Sequence, residues 1–344
     1  GDHSRRSDRI EQSRRNSLAY HWRDWQPRVF CAPQGAKWYV IPMTPTLHSK
    51  NCTTVQTVGI IAKTRLQEAS AAVRDVADWL AARGIDIVVE INTARIINRE
   101  GIETCSRDNL PTVADLILVL GGDGTLLGVA GCVARTTSDV PVLAINFGSL
   151  GFLTEITLPE LYESLEAVIA GTAGIDERQM LRSKVIRNDE TIADRIVLND
   201  VVLTKAALSN IIDFAITFGD QFVMRSRADG LIISSPTGST AYNLAAGGPI
   251  VHPTVDALLV TPIAPHTLTN RPIVIPTTTP VRVVPTLGGL HQAAYVSFDG
   301  QFGFELNSGD NIIVERASRP LRVVRSESRS YFAVLREKLK WGER

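Results

Sequence analysis

Leu116–Leu120 is an unbroken aliphatic run that ends directly in Gly121-Gly122-Asp123-Gly124-Thr125, and a helical apolar pattern follows from Leu126. A run of this length and composition reads as a strand buried on both faces. Three glycines within the next four residues allow a tight turn and let a ligand approach the backbone. Amides in such a turn, together with the N-terminus of the helix it opens, make a cradle for anions such as phosphate. A buried strand that turns into a helix in this way belongs in a parallel α/β layer, whose ligands bind at the carboxyl ends of the strands. The turn holds one carboxylate, Asp123. It is not the GxxxxGK[ST] phosphate loop, since no Lys follows, nor the GxGxxG turn of dehydrogenases.

The flanking sequence agrees with such a layer. Val58–Ala62, Ile85–Val89 and Val142–Ile145 are further short apolar runs. Ala69, Val73, Val76 and Leu80 share one face of a helix expected over 67–83, with Gly84 just past its end. The alternation predicts a doubly wound, mostly parallel sheet over residues 55–156. Thr157-Leu158-Pro159-Glu160 has the pattern of a capping box. The helix it opens presents Leu161, Leu165, Val168 and Ile169, and closes at Gly171 and Gly174. Beyond that point helical period is scarce. Stretches rich in Val, Ile and Thr read as strands over 182–187, 192–204, 211–218, 222–226, 229–234, 273–275, 281–284 and 311–314, predicting a β-rich domain over 157–319. Residues 320–344 are expected to pack back on the first domain, with Tyr331–Trp341 as a final strand and helix.

Residues 1–54 differ from the rest. They carry an Arg-rich stretch and then a patch of Trp and Pro in which no period persists, and they read as a flexible N-terminal extension with Met43 as an internal candidate start. Residues 1–57 hold nine basic and four acidic side chains against a balanced total of 36 and 36, so the extension is basic and the remainder acidic. Zero net charge argues against a nucleic-acid coat protein, and no nucleic-acid partner is expected. Cys31, Cys52, Cys105 and Cys132 have unrelated spacings, with no CxxC and no Cys/His cluster, so a disulfide framework or zinc site is not expected. Reduced thiols, no bilayer-length apolar run and no secretory signal core point to a cytoplasmic protein without a membrane partner.

Three further stretches carry the functional reading. Asn146-Phe147-Gly148-Ser149-Leu150-Gly151-Phe152-Leu153 follows a predicted strand, and Asn199-Asp200 interrupts IVLNDVVL. Arg227-Ala228-Asp229-Gly230 leads into Ser234-Ser235-Pro236-Thr237-Gly238-Ser239-Thr240-Ala241-Tyr242 and then Ala245-Ala246-Gly247-Gly248-Pro249. The GGDG turn by itself resembles that of NAD kinases, diacylglycerol and sphingosine-type lipid kinases and 6-phosphofructokinases. With the other stretches, and with Thr261–His266, Asn270-Arg271-Pro272 and Phe298-Asp299-Gly300-Gln301, the chain closely resembles the NAD kinase family over about residues 55–344.

The resemblance implies an enzyme that phosphorylates the 2′-hydroxyl of the adenosine ribose of NAD with ATP, giving NADP, in a two-domain NAD kinase-like fold. It implies Asp123 as the catalytic base, with Gly121, Gly122 and Gly124 at the nucleotide and Asn146 and Gly148 on the adjoining wall. Asn199 and Asp200 match the pair that holds the ribose and nicotinamide side of NAD. Thr240, Ala241, Tyr242 and Ala245 match the segment around the adenine and ribose, and the resemblance also implies Thr237, Gly238 and Ser239 as cofactor-binding residues. Arg227 and Asp229 match positions lining the dinucleotide site, and Gln301 a position near the ligand. Asn210 falls where many members have a basic or imidazole side chain, which leaves one phosphate contact of the family pattern open. The resemblance also implies a homodimer or homotetramer. Phosphoryl transfer needs positioning, charge neutralisation and one base, and Mg²⁺ binds mainly through phosphates, so no metal-ligand motif is expected. A lipid kinase sharing the GGDG turn and a non-catalytic NAD(P)-binding sensor are the alternatives. Asp200, a carboxylate between apolar strand residues, needs partners and reads as functional. Tyr242 reads as a ligand-stacking ring, His252 and His266 as structural, and Asp213 and Asp220 as surface charges.

Overall fold

The computed structural model describes residues 55–63, 67–97, 101–148, 150–206, 210–267, 269–288 and 293–342. The expected extension over 1–54, with Cys31, Cys52 and Met43, and Ser149 of the Asn146–Leu153 stretch lie outside the described residues. The chain first forms β1 (Thr57–Ala62), α1 (Gln67–Ala81), β2 (Asp86–Glu90), α2 (Ile91–Ile97), β3 (Glu103–Cys105), the short α3 (Leu110–Val113), β4 (Leu116–Leu120), α4 (Asp123–Arg135) and β5 (Val142–Asn146). Strand pairing runs β3-β2-β1-β4-β5, all parallel, with β6 (Ile156–Thr157) parallel to β5. Every residue of β4 and β5 is buried, as their lack of alternation requires. Alternate strand residues feed two cores. Val58, Ile60, Leu116, Leu118 and Leu143 meet α1 and α5 (Leu161–Ile169) on one face, and Ile117, Val119, Val142 and Ala144 meet α4 on the other. The expected capping box forms, with the Glu160 carboxylate accepting from Thr157 N–H at 2.9 Å and from its hydroxyl at 2.6 Å.

After β7 (Ile175–Arg178) the chain builds two antiparallel sheets. One is ordered β12 (Gln221–Ala228), β11 (Ile212–Phe218), β16 (Val281–Thr286), β19 (Asn311–Arg316), β8 (Leu181–Arg187), β9 (Glu190–Val197). The other is ordered β15 (Ile273–Pro276), β14 (Ala257–Ile263), β13 (Gly230–Ser234), β10 (Asp200–Lys205), β17 (Ala294–Phe298), β18 (Phe302–Leu306). A single apolar core draws on both, including Leu181, Ile212, Phe214 and Val283 from the first and Leu203, Leu231, Val260 and Val296 from the second. Strand β20 (Leu321–Val324) then leaves this layer and pairs parallel to β5 and antiparallel to β7, so the first sheet is completed from the far end of the chain. Among the described residues no helix is long and apolar enough to cross a membrane.

Two expectations change. The run 192–204 is not one strand. It breaks at Leu198-Asn199 into β9 of one sheet and β10 of the other, because Asp299 collects the backbone amides at the break. Tyr331–Trp341 holds no strand. It gives helix α7 (Tyr331–Leu339), capped by Ser330, whose hydroxyl oxygen accepts from Ala333 N–H at 3.3 Å. Strands β14, β17, β18 and β20 lie outside the stretches expected from sequence.

Phe214 is fully buried between the two antiparallel sheets. Phe214→Ala should lower the unfolding free energy by about 3–5 kcal/mol, measured by urea denaturation, because the cavity cannot close against strands on both sides.

Candidate active site

The GGDG turn lies where β4 ends. Gly121 N–H donates to Ile145 O at 2.9 Å, tying the turn to the neighbouring strand, and Gly122 opens α4 as its N-cap. Asp123 is the first residue of that helix, and its carboxylate turns toward the segment after β5. Oδ2 accepts from Phe152 N–H at 3.0 Å. Oδ1 accepts from Leu153 N–H at 3.3 Å, Thr154 N–H at 3.0 Å and the Thr154 hydroxyl at 2.8 Å. The Asn146 amide donates to Thr154 Oγ1 at 3.0 Å, and its carbonyl oxygen accepts from Gly148 N–H at 3.0 Å. A Cβ on Gly151 would overlap the Asp123 carboxylate and the Thr154 hydroxyl, so only glycine admits this packing. Gly122, Asp123, Asn146, Gly148 and Gly151 line a cleft of about 400 Å³, with Lys63, Glu68 and Lys338 on its other walls.

A second cluster forms at the β9–β10 break. Asp299, held in the left-handed region at φ +50°, accepts from Leu198 N–H at 2.8 Å, Asn199 N–H at 2.8 Å and Asp200 N–H at 3.1 Å. The turn after β13 packs directly on this segment. Ser235 N–H donates to Asn199 O at 2.8 Å, the Ser235 hydroxyl donates to Leu198 O at 2.5 Å, and its oxygen accepts from Gly238 N–H at 3.0 Å. A side chain on Gly238 would collide with the Asn199 backbone. Thr237–Thr240 form a 3₁₀ turn, and Asn243 in the next helical turn fixes the loop after it through Pro249 O at 3.0 Å and the Thr261 hydroxyl at 2.7 Å. Two buried oxygens here have no partner, Asn199 Oδ1 and Thr237 Oγ1. Buried polar atoms are normally satisfied, so an unpaired pair within one cluster is unusual. Gln301 joins the two clusters, its side-chain amide donating to Gly124 O at 3.4 Å.

Asp200 is buried, and burial beside Asp299 pushes its carboxyl up to about 7. Asp299 is also raised by burial, but its three amide donors oppose the shift, so Asp299 is the member of the pair that stays the anion.

The sequence-predicted residues therefore divide. Gly121, Gly122, Asp123, Gly124, Asn146 and Gly148 form the first cluster, and Asn199, Asp200 and Thr237–Ser239 the second. Thr240 and Ala241 are partly buried on the adjoining turn, Ala245 is exposed, and Tyr242 is 44% exposed, so its ring is not a core residue. Arg227, Asp229 and Asn210 lie elsewhere on this chain. At about 3.3 Å per residue, β13 sets Asp229 and Ser235 roughly 20 Å apart. Arg227 pairs with its cross-strand neighbour Asp213 at 3.2 Å, and Asp229 approaches Lys205 at 4.0 Å. Asp213 is thus the partner of an expected site residue rather than an isolated surface charge. His252 is structural as expected, bonded to Thr254 Oγ1 at 2.8 Å and packed edge-on against Tyr331. Thr154, Gly151 and Asp299 are the positioning groups sequence reasoning missed. Gly151 and Asp299 had a local signal, their places in the Asn146–Leu153 stretch and in Phe298-Asp299-Gly300-Gln301, and Thr154 had none.

Two family models match in order, the ATP-NAD kinase N-terminal domain over residues 58–173 and the ATP-NAD kinase C-terminal domain over residues 198–326. An NAD kinase of Geotalea daltonii is 47% identical over 287 residues, 83% of this chain and 99% of that protein. The chain belongs to the ATP-NAD kinase family. An NAD kinase of Geobacter sulfurreducens is 46% identical over 288 residues, again 83% of this chain and 99% of its own length. The crystal structure of yeast NADH kinase complexed with NADH superposes with a TM-score of 0.78 at 27% identity, covering 85% of this chain and 90% of the yeast chain. An Archaeoglobus fulgidus NAD kinase in complex with ATP shares the fold, with a TM-score of 0.64 at 23% identity over 83% of this chain and 98% of its own. The two-domain architecture is that of NAD kinases, which removes the lipid-kinase alternative.

The Asp200 environment sets a sign for pH dependence. An unfolded Asp titrates near 4, whereas folded Asp200 holds its proton up to about 7. The native state binds more protons in that window, so this group costs stability increasingly as pH rises from about 4 to 7. Asp200→Asn should remove that slope and make the protein more stable than wild type at pH 8 than at pH 5, measured by urea denaturation at both values.

Proposed function

We propose that this chain transfers the γ-phosphoryl group of ATP to the 2′-hydroxyl of the adenosine ribose of NAD, giving NADP and ADP, with Asp123 as general base. The observation that carries this reading is the Asp123 carboxylate, fixed by four donors at the wall of the cleft. Oδ1 is saturated by three of those bonds, whereas Oδ2 accepts only from Phe152. A carboxylate oxygen has two lone-pair directions, so Oδ2 keeps one for the hydroxyl proton. In the transfer, the ribose oxygen bonds to the γ-phosphorus as its proton moves to Oδ2, and the bond to the β-phosphate oxygen breaks with ADP as leaving group. The amides that open α4 face the same cleft and neutralise charge on the moving group.

The unpaired Asn199 Oδ1 and Thr237 Oγ1 supply hydrogen-bonding groups for the ribose and nicotinamide side of NAD, with Asp200 beside them. Thr240, Ala241, Tyr242 and Ala245 border the adenine side, with Tyr242 offering a ring to stack on it. Magnesium is proposed as the metal. Among the described residues no group of three or more His, Cys, Asp or Glu is placed to cage an ion. Asp123 and Glu68 are the carboxylates on the cleft wall, which suits an ion carried mainly by the donor's phosphates. Bound there, the ion would neutralise phosphate charge.

The separation of Arg227, Asp229 and Asn210 from Asn199 and Thr237 supports a homodimer or homotetramer in which a second copy brings that rim to the dinucleotide. We place the enzyme in the cytoplasm, in keeping with free thiols at Cys105 and Cys132. Light scattering should give two or four times the chain mass of 37.5 kDa; a monomer would remove the shared-site arrangement.

The test is NADP formation from purified protein, NAD, ATP and Mg²⁺, read by a strictly NADP-dependent dehydrogenase. Asp123→Asn should lower kcat by about 10²–10⁴-fold while NAD binding, measured by calorimetry, stays within a few-fold. Retained turnover would rule out Asp123 as the base.

A further inference from the structure

The cleft beside Asp123 is bounded by two side chains that the reading above leaves without a task. Lys63 follows the last residue of β1, and Lys338 lies on α7, almost 300 residues later in the chain. The spacing on α7 explains how Lys338 reaches the cleft. Val334 and Leu335 are its buried residues, and Lys338 lies four and three positions after them, on the same face. A lysine on the inner face of a helix carries the cost of partial desolvation, which an acidic partner normally offsets. Among the described residues neither Lys63 nor Lys338 forms an ion pair. Lys338 Nζ instead stands 5.9 Å from the centroid of the Phe152 ring, and Phe152 N–H donates to Asp123.

The helix that carries Lys338 is anchored at its start. Arg329 pairs with Glu160 at 2.7 Å and donates to Glu155 O at 3.1 Å, while Ser328 donates to Glu160 at 2.6 Å. These bonds, with that of Thr157, hold the Glu160 carboxyl down at about 2 even against its partial burial, so the anchor persists across the physiological range. The cleft is thus lined by two lysines, neither in an ion pair among the described residues, beside the carboxylates Asp123 and Glu68 and the glycine turn. Two cations beside a glycine turn suit a chain of phosphates better than a single carboxylate or a neutral group.

We infer that Lys63 and Lys338 form the clamp for the β- and γ-phosphates of the donor, so that α7 supplies a donor-binding residue. This rests on the kinase reading of the same cleft. The ligand class is a linear polyphosphate, either within a nucleoside triphosphate or free.

The experiment compares wild type with Lys338→Gln, Lys63→Gln and Lys338→Arg. Steady-state kinetics with ATP varied at saturating NAD should show KM for ATP raised about tenfold in each Gln variant, the scale of one lost charge-assisted hydrogen bond. KM for NAD should stay within twofold, and Lys338→Arg should recover most of the loss. Calorimetric titration with inorganic tripolyphosphate and Mg²⁺, which needs no turnover, should show the same weakening. An unchanged tripolyphosphate affinity in both Gln variants overturns the clamp. Equal losses toward ATP and NAD, or a matching fall in melting temperature, would mean that Lys338 only packs on Phe152. If wild type binds tripolyphosphate through these lysines but makes no NADP, the clamp stands and the assigned acceptor falls.

Discussion

One carboxylate, that of Asp299, fixes the point where the chain crosses between the two antiparallel sheets. Asp299 gathers three successive amides at Leu198–Asp200, in a backbone conformation that side chains seldom adopt. Three donors aimed at one buried anion let a continuous β-favouring sequence stop pairing with one sheet and restart in the other. Once that break is set, Asn199 presents its carbonyl to the Ser235 turn, Gly238 fits against its backbone, and the Asn199 amide oxygen is left buried without a partner. The same anion makes Asp200 beside it a reluctant acid.

The phosphate side follows a parallel logic. The Asp123 carboxylate is turned away from its own helix by three consecutive amides and a hydroxyl of 152–154. In each cluster a carboxylate organises a stretch of chain by satisfying amides that no strand or helix claims. The carboxylate of Asp123, proposed as the base, is held in place by these bonds, so that role would require little rearrangement at the moment of transfer. Gln301, two residues beyond Asp299, touches Gly124 beside Asp123, so the two carboxylate centres are coupled through one short turn.

The α/β layer was legible in the sequence because its strands are buried on both faces and so appear as unbroken aliphatic runs. Leu116–Leu120 matches its strand residue for residue. The break at Leu198-Asn199 was not legible, because its cause lies about 100 residues downstream and IVLNDVVL has strand composition throughout. Strands such as β17, AYVSF, were missed for the opposite reason: one face is exposed and the apolar signal is diluted. GGDG announced Asp123, whereas nothing local in Thr154 or Gly151 says that they hold it. Arg227 and Asp229 were grouped with the site by resemblance, and a strand length separates them from it on a single chain. Lys338 was invisible for want of any pattern: a lysine near the end of a helix is usually a solvated charge, and only the return of the chain onto its first layer turns it inward.

That return has a consequence for biosynthesis. Strand β20 joins β6 along the side of β5 that β4 leaves open, and α7 brings Lys338 to the cleft. A nascent chain that has made only its α/β residues therefore carries an unfinished, aggregation-prone sheet margin and a cleft that lacks Lys338. The layer reaches its final form only after the whole β-rich insert has been synthesised and folded. Assembly is thus vectorial in synthesis but not in folding: the first sheet waits for a strand made after the β-rich insert.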